Sequence, residues 1–169
     1  MISDVSFVSK VSDVAAFEGL LYDYYSVVLK AFEAAGGPVL APEDLVRSSI
    51  DNLHEMLPPD GRLALARDQD GHLLGCGAMR RIRQDAVEMK RMFVRPEVQG
   101  QGLGRRLFEM RIAEAKSMGC RTIYVDTARG NRSMLSMYEK HGFQYISRYP
   151  ENANPPEFEP FLVFMKYDL

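Results

Sequence analysis

Three glycines alternate in Gln99-Gly100-Gln101-Gly102-Leu103-Gly104, directly after a run with strand character and directly before one with helix character. Residues without a Cβ let a ligand approach the main chain closely. The free N–H groups there, with the positive end of the following helix, suit a pyrophosphate. Arg105 and Arg106 follow and add positive charge. The same residues also suit a bend that needs glycine only for positive φ angles, and the spacing leaves both readings open. Two common phosphate patterns are disfavoured. A dinucleotide fingerprint needs glycine at position 105, and a P-loop needs Lys followed by Ser or Thr after its last glycine; Arg105-Arg106 stands there instead. Cys76 and Cys120 lie in stretches that read as structured, outside any metal-ligand spacing, and are expected to be buried reduced thiols. His54, His72 and His141 fall in helix-end and turn contexts, so they are assigned no chemistry and no metal site is expected.

The elements that must position this loop follow from periodicity. A short strand, Val5 to Val8, precedes Ser12 as helix N-cap, and Val14, Phe17, Leu21, Tyr24 and Val28 recur at helical spacing up to Gly36-Gly37-Pro38. A second helix runs from Pro42-Glu43 to about Met56, ahead of Pro58-Pro59. Arg62 to Arg67 and Leu73 to Ile82 read as antiparallel strands joined by a turn ending in Asp70-Gly71. Val87 to Val94, apolar on both faces, is the middle of the sheet. A helix to about Met118 then turns Leu107, Phe108, Ile112 and Ala115 to the sheet and Arg105, Glu109 and Lys116 away. Thr122 to Asp126 completes a parallel strand–helix–strand unit. A short helix from Asn131 to His141, a strand Phe143 to Ser147, a proline-rich loop and a strand Phe161 to Tyr167 finish the chain.

Composition narrows the class. The chain has 169 residues, 46% hydrophobic and 26% charged. That fits one domain, residues 1–169, burying about 70% of its unfolded surface. Twenty-one basic against 23 acidic residues leave a net charge of −2, which offers no positive field to gather nucleic acid or an anionic membrane. No stretch reaches the roughly 18 apolar residues of a membrane helix and no leader pattern opens the chain, so a cytoplasmic location is expected.

Val94-Arg95-Pro96-Glu97 leading into Gln99-Gly100-Gln101-Gly102-Leu103-Gly104 resembles the coenzyme A signature of the GNAT N-acetyltransferases: Gln or Arg, two residues, Gly, one residue, then Gly or Ala. Downstream, Asn131 and Met137-Tyr138-Glu139-Lys140-His141-Gly142-Phe143 resemble that family's second motif. The likeness covers about residues 72 to 147 firmly and the first 60 loosely. It implies an α+β fold with a mixed, mostly antiparallel sheet of about seven strands flanked by about four helices. It also implies acetyl-CoA as co-substrate, transferring its acetyl group to a primary amine by direct attack in a ternary complex.

An alkyl amine with a pKa of about 10.4 is about 99.9% protonated at neutral pH, so a base must take its proton. Glu88 is the candidate, directly or through a water, in a place where the family often carries a glutamate; the alternative is an ion-pair partner of Lys90 or a neighbouring arginine. The family resemblance implies that a main-chain N–H around Met92, Phe93 and Val94 stabilises the oxyanion. It implies that Tyr138 protonates the departing sulfur or hydrogen-bonds to it, with a plain core tyrosine as the alternative, and that Asn131 holds the pantetheine arm or substrate as well as capping its helix. Residues 99–105 are expected to hold the cofactor: Gln99, Gly100, Gln101, Gly102, Leu103, Gly104 and Arg105. Tyr22, Tyr25, Arg80, Asp126 and Tyr149 are expected to line the acceptor site, and the loop from Tyr149 to Pro160 forms a stiff wall over it or a passive connection. The expected partner is a small-molecule amine, with room for a homodimer. A protein or peptide acetyltransferase, or a regulatory module that binds coenzyme A without turnover, is the competing reading.

Overall fold

In the computed structural model, which describes residues 1–169, the alternating runs assemble into one seven-stranded sheet. The strands are β1 (Ile2–Val8), β2 (Gly61–Asp68), β3 (Leu73–Arg83), β4 (Ala86–Val94), β5 (Thr122–Ala128), β6 (Gln144–Ile146) and β7 (Leu162–Asp168). Their order is β1-β2-β3-β4-β5-β7-β6, and only the β4–β5 contact is parallel. Four helices flank it: α1 (Val14–Ala34), α2 (Pro42–Asp51), α3 (Leu103–Ser117) and α4 (Arg132–His141). This is the expected α+β architecture. No helix is long and apolar enough to cross a membrane.

Side-chain alternation assigns the faces. Phe17, Leu20, Leu21 and Tyr25 of α1 and Val46 of α2 pack on Leu63, Leu65, Cys76, Ala78 and Phe93. On the other face Phe108, Ile112 and Ala115 of α3, with Leu135 and Tyr138 of α4, pack on Met79, Val87, Met89, Ile123 and Val125. Each fully buried Leu or Phe among them contributes about 1.5–3 kcal/mol of transfer free energy. Cys76 and Cys120 are free, buried thiols, as expected, and burial pushes Cys76 up to about 12.

Boundaries differ from the sequence expectation where side chains compete for main-chain groups. Asp13 rather than Ser12 caps α1, its carboxylate accepting from the Ala16 N–H at 2.9 Å. The second helix stops at Asp51, because the Asn52 amide caps the Ser48 carbonyl at 2.9 Å and a 3₁₀ turn, Leu53–Met56, takes over. The strand expected over Phe143 to Ser147 shrinks to Gln144–Ile146. Phe143 is drawn into the aromatic group of Phe108, Tyr138 and Tyr167. The last strand begins at Leu162, since Phe161 closes a 3₁₀ turn begun at Pro156.

Two irregularities open the middle of the sheet. Strands β4 and β5 pair only over Ala86–Glu88 with Thr122–Tyr124 and have no register partners beyond, so they part toward their C-terminal ends. Across β4 and β3 the register shifts between Cys76/Phe93 and Ala78/Lys90, and Arg91 takes a left-handed φ of 54°. Arg111, reaching up from α3, holds this bulge: its guanidinium donates to the Ala78 carbonyl at 3.0 Å and the Lys90 carbonyl at 3.5 Å. Gly77 is what admits it, because a Cβ there would stand 2.8 Å from Arg111 Nε.

Candidate active site

The bulge changes which side chains share a face. Met89 and Met92 turn toward α3 and α4, whereas Phe93 packs with α1. Between them Glu88, Lys90 and Arg91 all serve the α1–α2 side: Glu88 and Lys90 pair with each other, and Arg91 reaches Tyr25 and Ser49. A cavity of about 500 Å³ fills the opening between β4 and β5. Tyr24, Tyr25, Val28, Leu29 and Phe32 of α1 wall one side; Asn131, Met134 and Tyr138 wall the other. Ala153, Asn154, Pro155 and Phe158 of the proline-rich loop close over it.

At the mouth of the split, the main-chain N–H groups of residues 100 through 105 find no acceptor within the chain; the first amide of α3 to bond is that of Arg106, to the Gly102 carbonyl at 3.0 Å. Gly100 and Gly102 have φ of 78° and 82°, and a Cβ at either would meet nothing within 4 Å. This is a row of unpaired donors over open space at a helix N-terminus, the arrangement that accepts a diphosphate. Gln99 ties the loop to β4 by donating to the Val94 carbonyl at 3.0 Å. Leu103 is buried beneath the loop, while Gln101 is exposed. Arg105 is turned away, bonded to Glu109 at 2.7 Å, so Arg106, exposed and without an acidic partner, is the guanidinium free to move over the loop. Phe93 is buried against α1, and Val94, half-buried, packs with Leu103 and Leu107 of α3. Because Arg95 N–H donates to Leu74 on β3 at 2.9 Å, alternation turns the amides of Val94 and Met92 the other way, toward the split.

Glu88 is 2% exposed, with both oxygens engaged. Arg80 Nε donates at 3.0 Å and Lys90 Nζ lies 3.3 Å away on one oxygen; the Tyr149 hydroxyl donates at 2.5 Å to the other. Burial pushes the Glu88 carboxyl up, but the Lys90 charge, the Tyr149 hydrogen bond and Arg80 outweigh it and hold it below its ordinary value. Lys90 is shifted down, first by burial and then by the charge of Arg91. Asp126, two residues past the last β4–β5 pair, goes the opposite way: burial and the charge of Glu88 push it up. Its Oδ2 accepts from Asn152 at 2.5 Å and Asn154 at 3.0 Å, and no cation pairs with it.

Tyr138, 4% exposed, lines the cavity and its hydroxyl has no partner in the chain; burial raises its pKa, so the phenol keeps its proton. Asn131 caps α4 through Oδ1, at 3.3 Å from the Met134 N–H, which leaves its amide nitrogen free. Of the residues expected around the acceptor, Tyr25 and Asp126 line the cavity. Arg80 and Tyr149 stand behind Glu88 as its partners. Tyr22 is a correction: it is 44% exposed at the edge of α1, and Tyr24, read from the sequence only as part of the apolar stripe, occupies the wall instead. Lys90 pairs with Glu88 as the alternative reading expects, whereas Asn152, Asn154 and Arg91 carry no site signal in the sequence, and only a chain reversal and a bulge bring them here.

A sheet opened between two parallel strands, with unpaired amides at the helix that joins them and a phenol on the opening, defines an acyltransferase. Residues 23–143 match the model of the Acetyltransferase (GNAT) family, and the chain belongs to that family. It is similar to the IAA acetyltransferase of Azospirillum brasilense, 33% identical over 119 residues, 70% of this chain and 74% of that protein. An uncharacterized N-acetyltransferase of Schizosaccharomyces pombe is 33% identical over 113 residues, 66% of each chain. Among solved structures, the PaiA N-acetyltransferase of Thermoplasma acidophilum in complex with coenzyme A shares the fold with a TM-score of 0.71 at 15% identity, over 99% of this chain and 100% of that one.

Proposed function

We propose that the protein transfers an acetyl group from acetyl-CoA to the primary amine of a small molecule, both held at once in the opening between β4 and β5. The observation that carries this reading is the row of six unpaired amides, residues 100–105, beside a cavity that Tyr138 and Glu88 both line. Bound acetyl-CoA supplies an activated acetyl group on a good leaving thiolate. The amides of residues 100–105, with Arg106 near, receive its diphosphate. The free amide nitrogen of Asn131 donates to the arm that enters the split.

The amides of Met92 and Val94 donate to the carbonyl oxygen as it gains charge. Glu88 takes the amine proton, directly or through a water that replaces one of its three donors. The nitrogen forms its bond to the acetyl carbon, the carbon–sulfur bond breaks, and Tyr138 gives its proton to the sulfur. The loop that roofs the cavity with Pro155 and Phe158 favours a small acceptor over a peptide, which needs an open groove. Mixing the protein with acetyl-CoA and separate panels of small amines and peptides, and following free thiol, tests this. Release with small amines is expected; release with peptides alone contradicts the acceptor class, and cofactor binding with no release from any amine contradicts the transferase reading.

A further inference from the structure

We infer that the acceptor amine also carries a carboxylate, which Arg91 binds, so that the substrate is a small amino acid-like molecule with an apolar body. The inference rests on the proposed acetyl transfer and names the substrate class for the same cavity.

The first support is the placement of Arg91. A non-glycine residue with a left-handed φ costs about 1–2 kcal/mol, and Arg91 adopts 54° where regular alternation would have turned it toward α3. The departure delivers its guanidinium to the α1–α2 side. There it lies 5.4 Å from the centre of the Tyr25 ring and donates through Nε to Ser49 Oγ at 3.2 Å. The Tyr25 hydroxyl and Ser49 Oγ are themselves bonded at 2.7 Å, and Ser49 is 2% exposed, so the arm of Arg91 is fixed by a buried relay. Only Nε is used. The two terminal nitrogens have no acidic partner, and Arg91 lines the cavity. A planar fork held from behind with its ends open is the geometry that takes a carboxylate in two parallel hydrogen bonds.

The second support is the charge around it. Glu88 is already neutralised by Arg80 and Lys90. Across the split Asp126 stands two residues beyond the last β4–β5 pair on β5, as Arg91 stands three beyond it on β4. The cavity thus offers a free guanidinium on one strand and a carboxylate without a cation on the other. A zwitterion satisfies both, with its ammonium toward Asp126 and its carboxylate on Arg91. A polyamine meets Lys90 and Arg91 as like charges. Val28, Leu29, Phe32, Leu40 and Phe158 leave apolar surface for the rest of the molecule.

Matched pairs test the inference. The wild-type protein, R91Q and R91K are assayed by thiol release with L-phenylalanine against phenethylamine and L-leucine against isoamylamine. In parallel, the CoA-saturated protein is titrated calorimetrically with N-acetyl-L-phenylalanine and N-acetyl-phenethylamine, and with the N-acetyl derivatives of the leucine pair. For the wild type, KM is expected to be about 10- to 100-fold lower for the carboxylate-bearing member, the worth of a charge-assisted hydrogen-bonded pair. R91Q is expected to raise that KM by a similar factor with kcat changed less than about threefold, and R91K to restore part of it. A stability defect alone would not discriminate between the members of a pair. Equal KM within the pairs, or equal loss of both members in R91Q, overturns the inference. Should no amine release thiol, the acetyl-transfer reading fails, and the titrations decide this inference separately: binding of an N-acetyl amino acid but not its decarboxylated partner, abolished in R91Q, upholds the carboxylate site, and no such difference in either pair overturns it.

Discussion

Replacing Glu88 by Gln keeps the shape of the side chain and removes its charge. In the folded protein that charge is 2% exposed and faces Arg80 at 3.0 Å, Lys90 at 3.3 Å and the Tyr149 hydroxyl at 2.5 Å. Breaking a buried pair by neutralising one partner costs about 3–5 kcal/mol. Glutamine still accepts one hydrogen bond from Arg80, which places the expected loss near the lower end, about 3 kcal/mol. For a domain of this size that lowers Tm by about 6–12 °C at neutral pH. The pH dependence has a definite sign. The folded carboxyl lies below its ordinary value of 4.5, because Lys90, Tyr149 and Arg80 outweigh burial, so its stabilisation is complete above that value and fades as pH falls through the folded pKa. The gap in Tm between wild type and E88Q therefore narrows in acid. Calorimetric scans from neutral pH down to the acid limit measure it. The same variant, assayed well below its Tm, is expected to release thiol about 100-fold more slowly, with acetyl-CoA affinity unchanged. A constant Tm gap across pH refutes the ion-pair reasoning, and turnover within threefold of wild type removes Glu88 as the base.

Tyr138→Phe removes a hydroxyl that nothing in the chain bonds, so Tm is expected to hold within about 2 °C while turnover drops about 10- to 100-fold; an unaltered rate returns Tyr138 to the core. Gly102→Ala forces a Cβ onto a φ of 82° at an open position, which costs about 1 kcal/mol of stability and is expected to weaken acetyl-CoA binding about tenfold, read by titration. Arg111→Met strips the donors from the Ala78 and Lys90 carbonyls at the bulge. A loss of about 2 kcal/mol, or about 4–8 °C in Tm, is expected together with slower thiol release, and an unchanged Tm refutes the bracing role.

Much of the fold was legible because it rests on local periodicity. The glycine loop, the apolar face of α3, the parallel unit from β4 to β5 and the placement of Tyr138 on a short helix all follow from residues close in sequence. The features that escaped depend on residues brought together from far apart. Strict alternation along β4 sends Arg91 to the same side as Met89. It is the bulge, made possible by Gly77 and held by Arg111 from another element, that reverses it. Helical periodicity places Arg111 between Leu107 and Ala115 on the sheet-facing side of α3, where it is 1% exposed, but nothing local says which carbonyls its guanidinium holds. The apolar stripe of α1 already separates Tyr24 from Tyr22, which is 44% exposed, but only the crossing of α1 over the opening sets Tyr24 against the cavity. Arg105 and Arg106 are equivalent until Glu109, one turn later, engages the first. Asn152 and Asn154 become partners of Asp126 through the chain reversal after β6; its prolines mark a loop, but nothing local says which strand its asparagines meet.

Calorimetric titration of the protein with acetyl-CoA and, separately, with acetyl-pantetheine, which carries the same thioester without the diphosphate, isolates the role of the amides at residues 100–105. Acetyl-CoA is expected to bind at least 100-fold more tightly and, at about 100 times its Kd, to raise Tm by about 5–10 °C. Equal affinity for the two compounds, or no heat with acetyl-CoA, contradicts it.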